Sequence, residues 1–433
     1  MLKYIDIKKI NFALIVLLIG LIIRFFYQEK YTVMLFQHDW QGHIEMIKYL
    51  ADTWSIPLPN KGLEFPQQPL YYVVTAGIYS FATSLGSSDK MALEYIGYFS
   101  FICSTLFLVY AYKFVALLSK SKRVQTIAMI FLALTPSIVY ISARINNDSM
   151  VMALASMSLY YVVKSYQSDF KESFFVALLV SSLLFLTKIS ALSIELLFFA
   201  LLILSYRNSL NQENNQLKQK IYIFGLTGMF LLTYTLWRVY LPLDNSFHMV
   251  NSSGAYPGQI LPPLDLHYFG TFNIFSLFEQ SYSYVFGEDS VRYSFLTYQY
   301  GTMLFGEFDY TFFINKAPYM REIMQSILLL GLLFMVGFLI FIFQLYKASS
   351  LKKILFATLL INFLLIVKFM FDFPSVCNTD FRYFVPSFLL FAYMFAQGIH
   401  TLHDFKLLSK IINGLLSLLV LAEVTFFSLL IFY

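Results

Sequence analysis

Charge is what this chain has least of. Asp, Glu, Lys and Arg make up 13% of its 433 residues, against 58% hydrophobic residues and a mean hydropathy of +0.66. So little polar surface excludes a soluble globule of this length. Cysteine is nearly absent too: Cys103 lies inside an apolar run and Cys377 in a short polar loop, which excludes a disulfide framework and leaves the redox compartment open. The net charge of +5 sits in short Lys-rich loops rather than on a basic face. That excludes a nucleic-acid partner and suits the flanks of membrane helices. No internal repeat is present, and the one low-complexity stretch, Asn208 to Lys220, is a polar linker without evident chemistry.

What is abundant is apolar sequence in runs of membrane-crossing length, about 17–25 residues. These runs lie near 8–27, 93–118, 124–141, 146–165, 172–187, 190–206, 221–241, 323–346, 351–371, 384–402 and 408–432. The first follows Lys3, Lys8 and Lys9 and precedes no small-x-small cleavage site, so it reads as a retained anchor. The segment from Pro69 to Leu85 is nearly long enough to cross. If it stays in the interface, the N-terminus and the loops 119–123, 164–171, 207–220, 347–353 and 403–410 all fall on one side, as the positive-inside rule requires. Pro69 at its start and Gly86 at its end suit a short capped helix.

The sequence therefore predicts an all-α integral membrane protein, a bundle of about eleven transmembrane helices with interfacial helices in the first outer loop. Residues 1–433 read as a single polytopic membrane domain with the N-terminus inside and the C-terminus outside. Polar complexity collects on the outer side: outer loop 1 at 28–92, turns at Ser142 to Ser149 and at Lys188, a long outer loop at 242–322, and the loop Asp372 to Tyr383. A protein whose complexity lies on one face works on that face.

Three outer constellations could carry chemistry. Asp39 opens an amphipathic stretch, Gly42 to Trp54, in which Ile44, Ile47, Leu50 and Ala51 recur at helical spacing, with Trp54 expected at headgroup depth. The aspartate suits an N-cap, which does not exclude a catalytic role. His38 and His43 flank it, too few ligands for a metal set by themselves; no cofactor is implied, and dependence on a divalent metal stays open. The second constellation is the turn Ser142 to Ser149, where Asn147, Asp148 and Ser149 can cap helices but Arg144 is an unexpected outer cation. The third contains Asp380, Arg382, Tyr383 and Pro386, with an Asp380 to Arg382 ion pair as its plain reading, worth little if exposed.

Further cations, Arg24, Lys188, Arg238 and Lys368, also lie near outer span ends. Several on one face point to an anionic ligand at membrane depth, such as a lipid phosphate whose tail stays in hydrocarbon. Glu195, about two turns from Lys188, is the expected partner of that lysine. The long outer loop holds Asp265, His267, Glu279, Glu288, Asp289, Arg292, Glu307 and Asp309 among many Phe and Tyr, which suits sugar stacking and an interfacial belt equally. Asn251 to Ser253 forms a sequon.

In order and sidedness these pieces resemble the GT-C class of polyprenyl-phosphate-dependent membrane glycosyltransferases, in the branch of protein O-mannosyltransferases and the lipid A aminoarabinose transferase. The resemblance rests on Asp39 followed by Pro69, Leu70, Tyr71 and Tyr72, on Arg144 with Asp148, and on Arg382, Tyr383 and Pro386. It covers most of 1–205 and the region around 380. The sequence departs at Gln67 and Gln68, where the family's Pro-Leu hinge usually follows a basic residue, and at Trp40, where the mannosyltransferases carry a second acid.

The resemblance implies a hexosyl- or pentosyltransferase that moves a sugar from a polyprenyl-phosphate donor to an acceptor hydroxyl. Transfer would invert the anomeric centre, on the extracytoplasmic face, in cell-envelope glycan, lipid or protein glycosylation. Asp39 would be the catalytic base and Asp148 a second catalytic-site carboxylate that orients the acceptor or a basic partner, with Arg144, Lys188, Arg382, Tyr383, His43 and Tyr71 binding substrate and phosphate. Partners would be the lipid-linked donor, a lipid, glycan or protein acceptor, and membrane lipids. The setting implied is a plasma membrane, the bacterial inner membrane, with the site facing the periplasm or exterior. Two rivals remain: a polysaccharide polymerase or ligase using undecaprenyl-pyrophosphate glycans, and a transporter or flippase of lipid-linked substrates, which would want ionisable groups at mid-depth.

Overall fold

The apolar runs fold into helices, and every regular element among the described residues is helical. A computed structural model describes residues 11–31, 40–62, 64–208, 215–240, 261, 264–279, 294–306, 310–372, 374 and 376–432. His38, Asp39, the sequon at 251–253, and Glu288, Asp289, Arg292, Glu307 and Asp309 lie outside these.

The first half of the chain gives α1 (Phe12–Lys30), α2 (Trp40–Thr53), α3 (Leu70–Ser84), α4 (Asp89–Leu118), α5 (Lys122–Leu134), α6 (Pro136–Ile141), α7 (Asp148–Gln167), α8 (Phe174–Phe185), α9 (Leu192–Asn208) and α10 (Asn215–Thr235). After the short α11 (Leu266–Gly270), α12 (Ile274–Glu279), α13 (Phe295–Phe305) and α14 (Thr311–Lys316) come the long α15 (Tyr319–Gln344) and α16 (Ser350–Asp372). A 3₁₀ segment, Phe381–Ser387, leads into α17 (Phe388–Thr401), and α18 (Lys406–Phe432) closes the chain.

Seven of these helical stretches are long and apolar enough to cross a membrane: Phe12–Lys30, Asp89–Leu118, Ile189–Asn208, Tyr319–Lys347, Ser350–Asp372, Phe381–Asp404 and Lys406–Phe432. The expected count of about eleven is not reached by this measure. The run at 124–141 is not one helix but α5 and α6, parted at Thr135 because Pro136 cannot continue the ladder. Helix α8 has only 12 residues. Helix α7 buries Ser149, Ser156, Ser158 and Ser165 among neighbouring helices, so it has less need of apolar side chains than a lipid-facing span. The polar start of α10, from Asn215 to Lys220, dilutes its apolar part.

Helix α3 has the form its sequence predicts. Pro69 stands at its start, and Gly86 (φ +83°) ends it by donating to the Thr83 carbonyl at 2.9 Å, while Ser87 donates to Ala82 at 3.1 Å. Its 15 residues span about 22 Å, short of a hydrocarbon core of about 30 Å. Helix α2 buries Ile44, Ile47 and Leu50 against it and leaves Trp54 exposed at its end.

In the bundle, α4 packs on α7 and α7 on α8, α1 on α5, α5 on α17, α15 on α17 and α18, and α9 on α16. The α15 and α17 backbones touch at a pair of glycines: a Cβ on Gly398 would stand 1.9 Å from the Gly337 carbonyl oxygen. Pro136 also strips the Leu132 carbonyl of its helical donor. Arg24, fully buried, supplies one, donating to Leu132 O at 3.0 Å, Ala133 O at 2.5 Å, Gly20 O at 3.1 Å and Ser104 Oγ at 2.9 Å. Arg24 is thus a splint for the α5–α6 break and no part of an anion site.

Candidate functional site

Chain reversals bring the α6–α7 turn, the α8–α9 turn and the 3₁₀ segment Phe381–Ser387 to one end of the bundle. In the first turn, Asn146 does the capping expected of its neighbours: its Oδ1 accepts from the Asp148 amide at 3.1 Å. That frees Asn147 to donate to Gln67 Oε1 at 3.2 Å and to the Thr187 carbonyl at 3.4 Å. It also frees the Asp148 carboxylate to face the second turn, where Lys188 Nζ meets Oδ1 at 2.5 Å. The pair is buried, its side chains 3% and 12% exposed. Lys188 is therefore partnered by Asp148, 40 residues away, and not by Glu195, whose buried Oε1 has no hydrogen-bond partner among the described residues.

Arg144 and Arg382 both lie within electrostatic reach of Asp148. Arg144 is 4% exposed, lies 4.4 Å above the Tyr140 ring, and has an Nε without a hydrogen-bond partner among the described residues. Arg382 Nε stands 3.4 Å from Asp380 Oδ2, and Asp380 also accepts from the Arg382 amide at 3.0 Å. This ion pair is buried, not exposed, so solvent screens it little. The Tyr383 ring lies 5.4 Å from Lys188 Nζ and 5.5 Å from the Arg382 guanidinium carbon, a cation–π partner to both. Three cations, two carboxylates and two tyrosines from distant parts of the sequence thus come together.

Ser137, Tyr140, Arg144, Thr302, Asp380 and Arg382 line a narrow cleft. Phe381 and Phe388 close one wall and also line an apolar pocket of about 300 Å³ among α13, α15, α16 and α17. Cationic cleft and apolar pocket thus lie on either side of one phenylalanine wall, an arrangement suited to a molecule with a charged head and a hydrocarbon tail.

Other expected residues fall differently. Tyr71 is fully buried on α3, its hydroxyl without a hydrogen-bond partner among the described residues but within electrostatic reach of Asp148, and burial pushes its pKa well up. It belongs to the rim of the site. His43 is held instead by Tyr72, with Nδ1 and the hydroxyl 2.8 Å apart and the rings stacked. Among the described residues no three His, Cys, Asp or Glu side chains gather as a metal set.

Arg238 donates to the carbonyls of Gln67 at 3.0 Å and Phe65 at 2.9 Å, and Lys368 pairs with Asp372, so neither joins the cationic cluster. Gln67 and Gln68, where the hinge departs from the family pattern, act as ties: Gln67 to Asn147 and Arg238, Gln68 to Thr235 at 3.2 Å.

Residues 73–237 match the dolichyl-phosphate-mannose-protein mannosyltransferase family. The matched stretch runs from α3 through α10 and contains Arg144, Asp148 and Lys188; Arg382 and Tyr383 lie beyond it. The match supports a membrane glycosyltransferase of the GT-C type. No curated protein matches the chain.

Sequence reasoning missed parts of this site. Tyr140 gave a signal, since an aromatic one turn before a buried arginine on the same helical face can stack beneath it. Phe381 and Phe388 gave none, because they were indistinguishable from the other phenylalanines of an apolar chain.

Proposed function

We propose that the protein transfers a sugar from a polyprenyl-phosphate donor to an acceptor hydroxyl at the extracytoplasmic face of a plasma membrane. The observation that carries this reading is that the cleft of Arg144 and Arg382 shares its Phe381 and Phe388 wall with the apolar pocket, with Lys188 nearby at the Tyr383 ring. A lipid phosphate needs both: guanidinium and ammonium groups for the head, hydrocarbon for the tail.

In this reading Asp39 takes the proton of the acceptor hydroxyl as its oxygen attacks the anomeric carbon. The bond from that carbon to the phosphate oxygen breaks with inversion, and the leaving phosphate keeps the electron pair. Arg144, Lys188 and Arg382 stabilise the charge gathering on that oxygen. Asp148 acts through Lys188, holding its ammonium at one place. Tyr71 and Tyr383 shape the rim.

The test is donor turnover by purified protein over a panel of polyprenyl-phosphate sugars, with pyrophosphate-linked glycans beside them to separate transferase from polymerase. Asp39→Asn is expected to abolish transfer with unchanged expression and melting behaviour. Wild-type turnover in that variant would remove Asp39 from the mechanism, and turnover of pyrophosphate donors alone would replace the reading.

A further inference from the structure

A second cationic cluster sits at the far end of α5, and the transfer reaction makes no use of it. Helix α5, Lys122–Leu134, rises about 1.5 Å per residue, about 20 Å in all, which is more than one leaflet of a hydrocarbon core of about 30 Å. Arg123 at one end and Arg144 beyond the other are therefore a leaflet apart or more.

Arg123 donates from Nη1 to Ser409 Oγ of α18 at 2.7 Å. Its Nε and Nη2 are shut away from solvent without a hydrogen-bond partner among the described residues, and no described carboxylate pairs with it. These two nitrogens form the side-on edge of the guanidinium, which presents two parallel N–H donors. His400 of α17 is close by, within electrostatic reach of Arg123, and its Nδ1 is likewise buried and unpartnered. His403 and Asp404 also face this corner; Asp404, the one carboxylate of the two loops, is 95% exposed and 3.9 Å from His403.

Two parallel donors on a charged fork, with an imidazole and a hydroxyl beside them, match the oxygens of a phosphate. Leaving those donors empty is costly, since buried N–H groups of a cation keep their full desolvation penalty. Lys120, Lys122, Lys406 and Lys410 surround the corner and are exposed. Phe405 and Leu407 project beside it, 65% and 73% exposed. Basic residues next to exposed apolar ones at a membrane boundary favour a phosphate that carries acyl chains over a free one.

We propose that Arg123, His400 and Ser409 form a phosphate-binding site at the lysine-rich end of the bundle, filled by the headgroup of an anionic phospholipid. The test uses the full chain in nanodiscs of phosphatidylcholine, with or without phosphatidylglycerol, read by thermal melting and by native mass spectrometry after transfer to detergent. Wild type is expected to melt higher with phosphatidylglycerol and to retain it. Arg123→Gln, which can still donate to Ser409, should lower that retention about tenfold through loss of a charge-assisted pair. Lys353→Gln, at another basic loop, should not.

Inorganic phosphate titrated into phosphatidylcholine discs separates the sources. If it raises the melting point of wild type but not of Arg123→Gln, and phosphatidylglycerol does nothing, the site stands and the lipid assignment falls. If neither phosphatidylglycerol nor phosphate acts on wild type, or if Arg123→Gln retains the lipid fully, the proposal is wrong. The wild-type arms need no variant to fold.

Discussion

The Asp148 and Lys188 pair allows stability and chemistry to be separated in one experiment. Replacing Lys188 with Met leaves a carboxylate 3% exposed without its ammonium. Breaking a buried pair on one side costs about 3–5 kcal/mol; because Arg144 and Arg382 still act on Asp148, the lower end is expected here. Removing a charged donor from the leaving phosphate should also cut turnover about 10²–10³-fold. Asp148→Leu alone strands Lys188 and should cost a similar stability.

The double variant, Lys188→Met with Asp148→Leu, replaces the whole pair by apolar side chains, a change that is often neutral. With each single variant losing about 3 kcal/mol, it should recover most of that loss, a coupling of about 4–5 kcal/mol and so above the 0.5–3 kcal/mol usual for contacting residues. Turnover should stay low, because the cation is still missing. Denaturant or thermal unfolding in detergent, run beside donor-turnover kinetics on all four proteins, completes the cycle. Additive stability losses would refute the pairing, and recovered turnover in the double variant would refute a chemical role for Lys188.

Two further outcomes follow from other parts of the molecule. Arg382→Gln keeps the backbone tie to Asp380 but takes the guanidinium away from its buried carboxylate, so the melting point should fall, and under the proposed function kcat/KM for a lipid-phosphate donor should fall at least tenfold; a variant as active as wild type would take Arg382 out of the site. Gly398→Ala drives a methyl group into the Gly337 carbonyl, where backbone cannot yield as a side chain would, and should cost about 1–3 kcal/mol in unfolding measurements. Unchanged stability would mean the α15 and α17 contact is looser than described.

The helices were legible because apolar runs are a strong and local signal. The short α3 was legible because Pro69 and Gly86 mark its ends. Membrane-crossing ability was less so: reading 124–141 as one span overlooks what Pro136 does to the ladder behind it, and α7 departs from the apolar norm because other helices surround it. At the site, Arg144, Asp148, Lys188 and Arg382 were readable as polar groups out of place in their surroundings. Their pairing was not. Local spacing proposed Glu195 for Lys188, whereas the observed partner arrives from another turn 40 residues back. Nor does sequence distinguish a cation that spends its donors on backbone carbonyls, as Arg24 does, from one such as Arg144 with an unpartnered nitrogen.

The glycine contact between α15 and α17 bears on how the apolar pocket can change size. Two of its walls are fused backbone to backbone at Gly337 and Gly398, so they behave as one plate. Any widening must come from the other walls, α13 and α16, of which α16 meets α17 over few residues and leans mainly on α9 and the 3₁₀ segment Phe381–Ser387. That segment carries Arg382. An occupant that pushed α16 outward would therefore pull on the same short stretch of chain that carries the Arg382 guanidinium, linking the width of the pocket to how that cation is held.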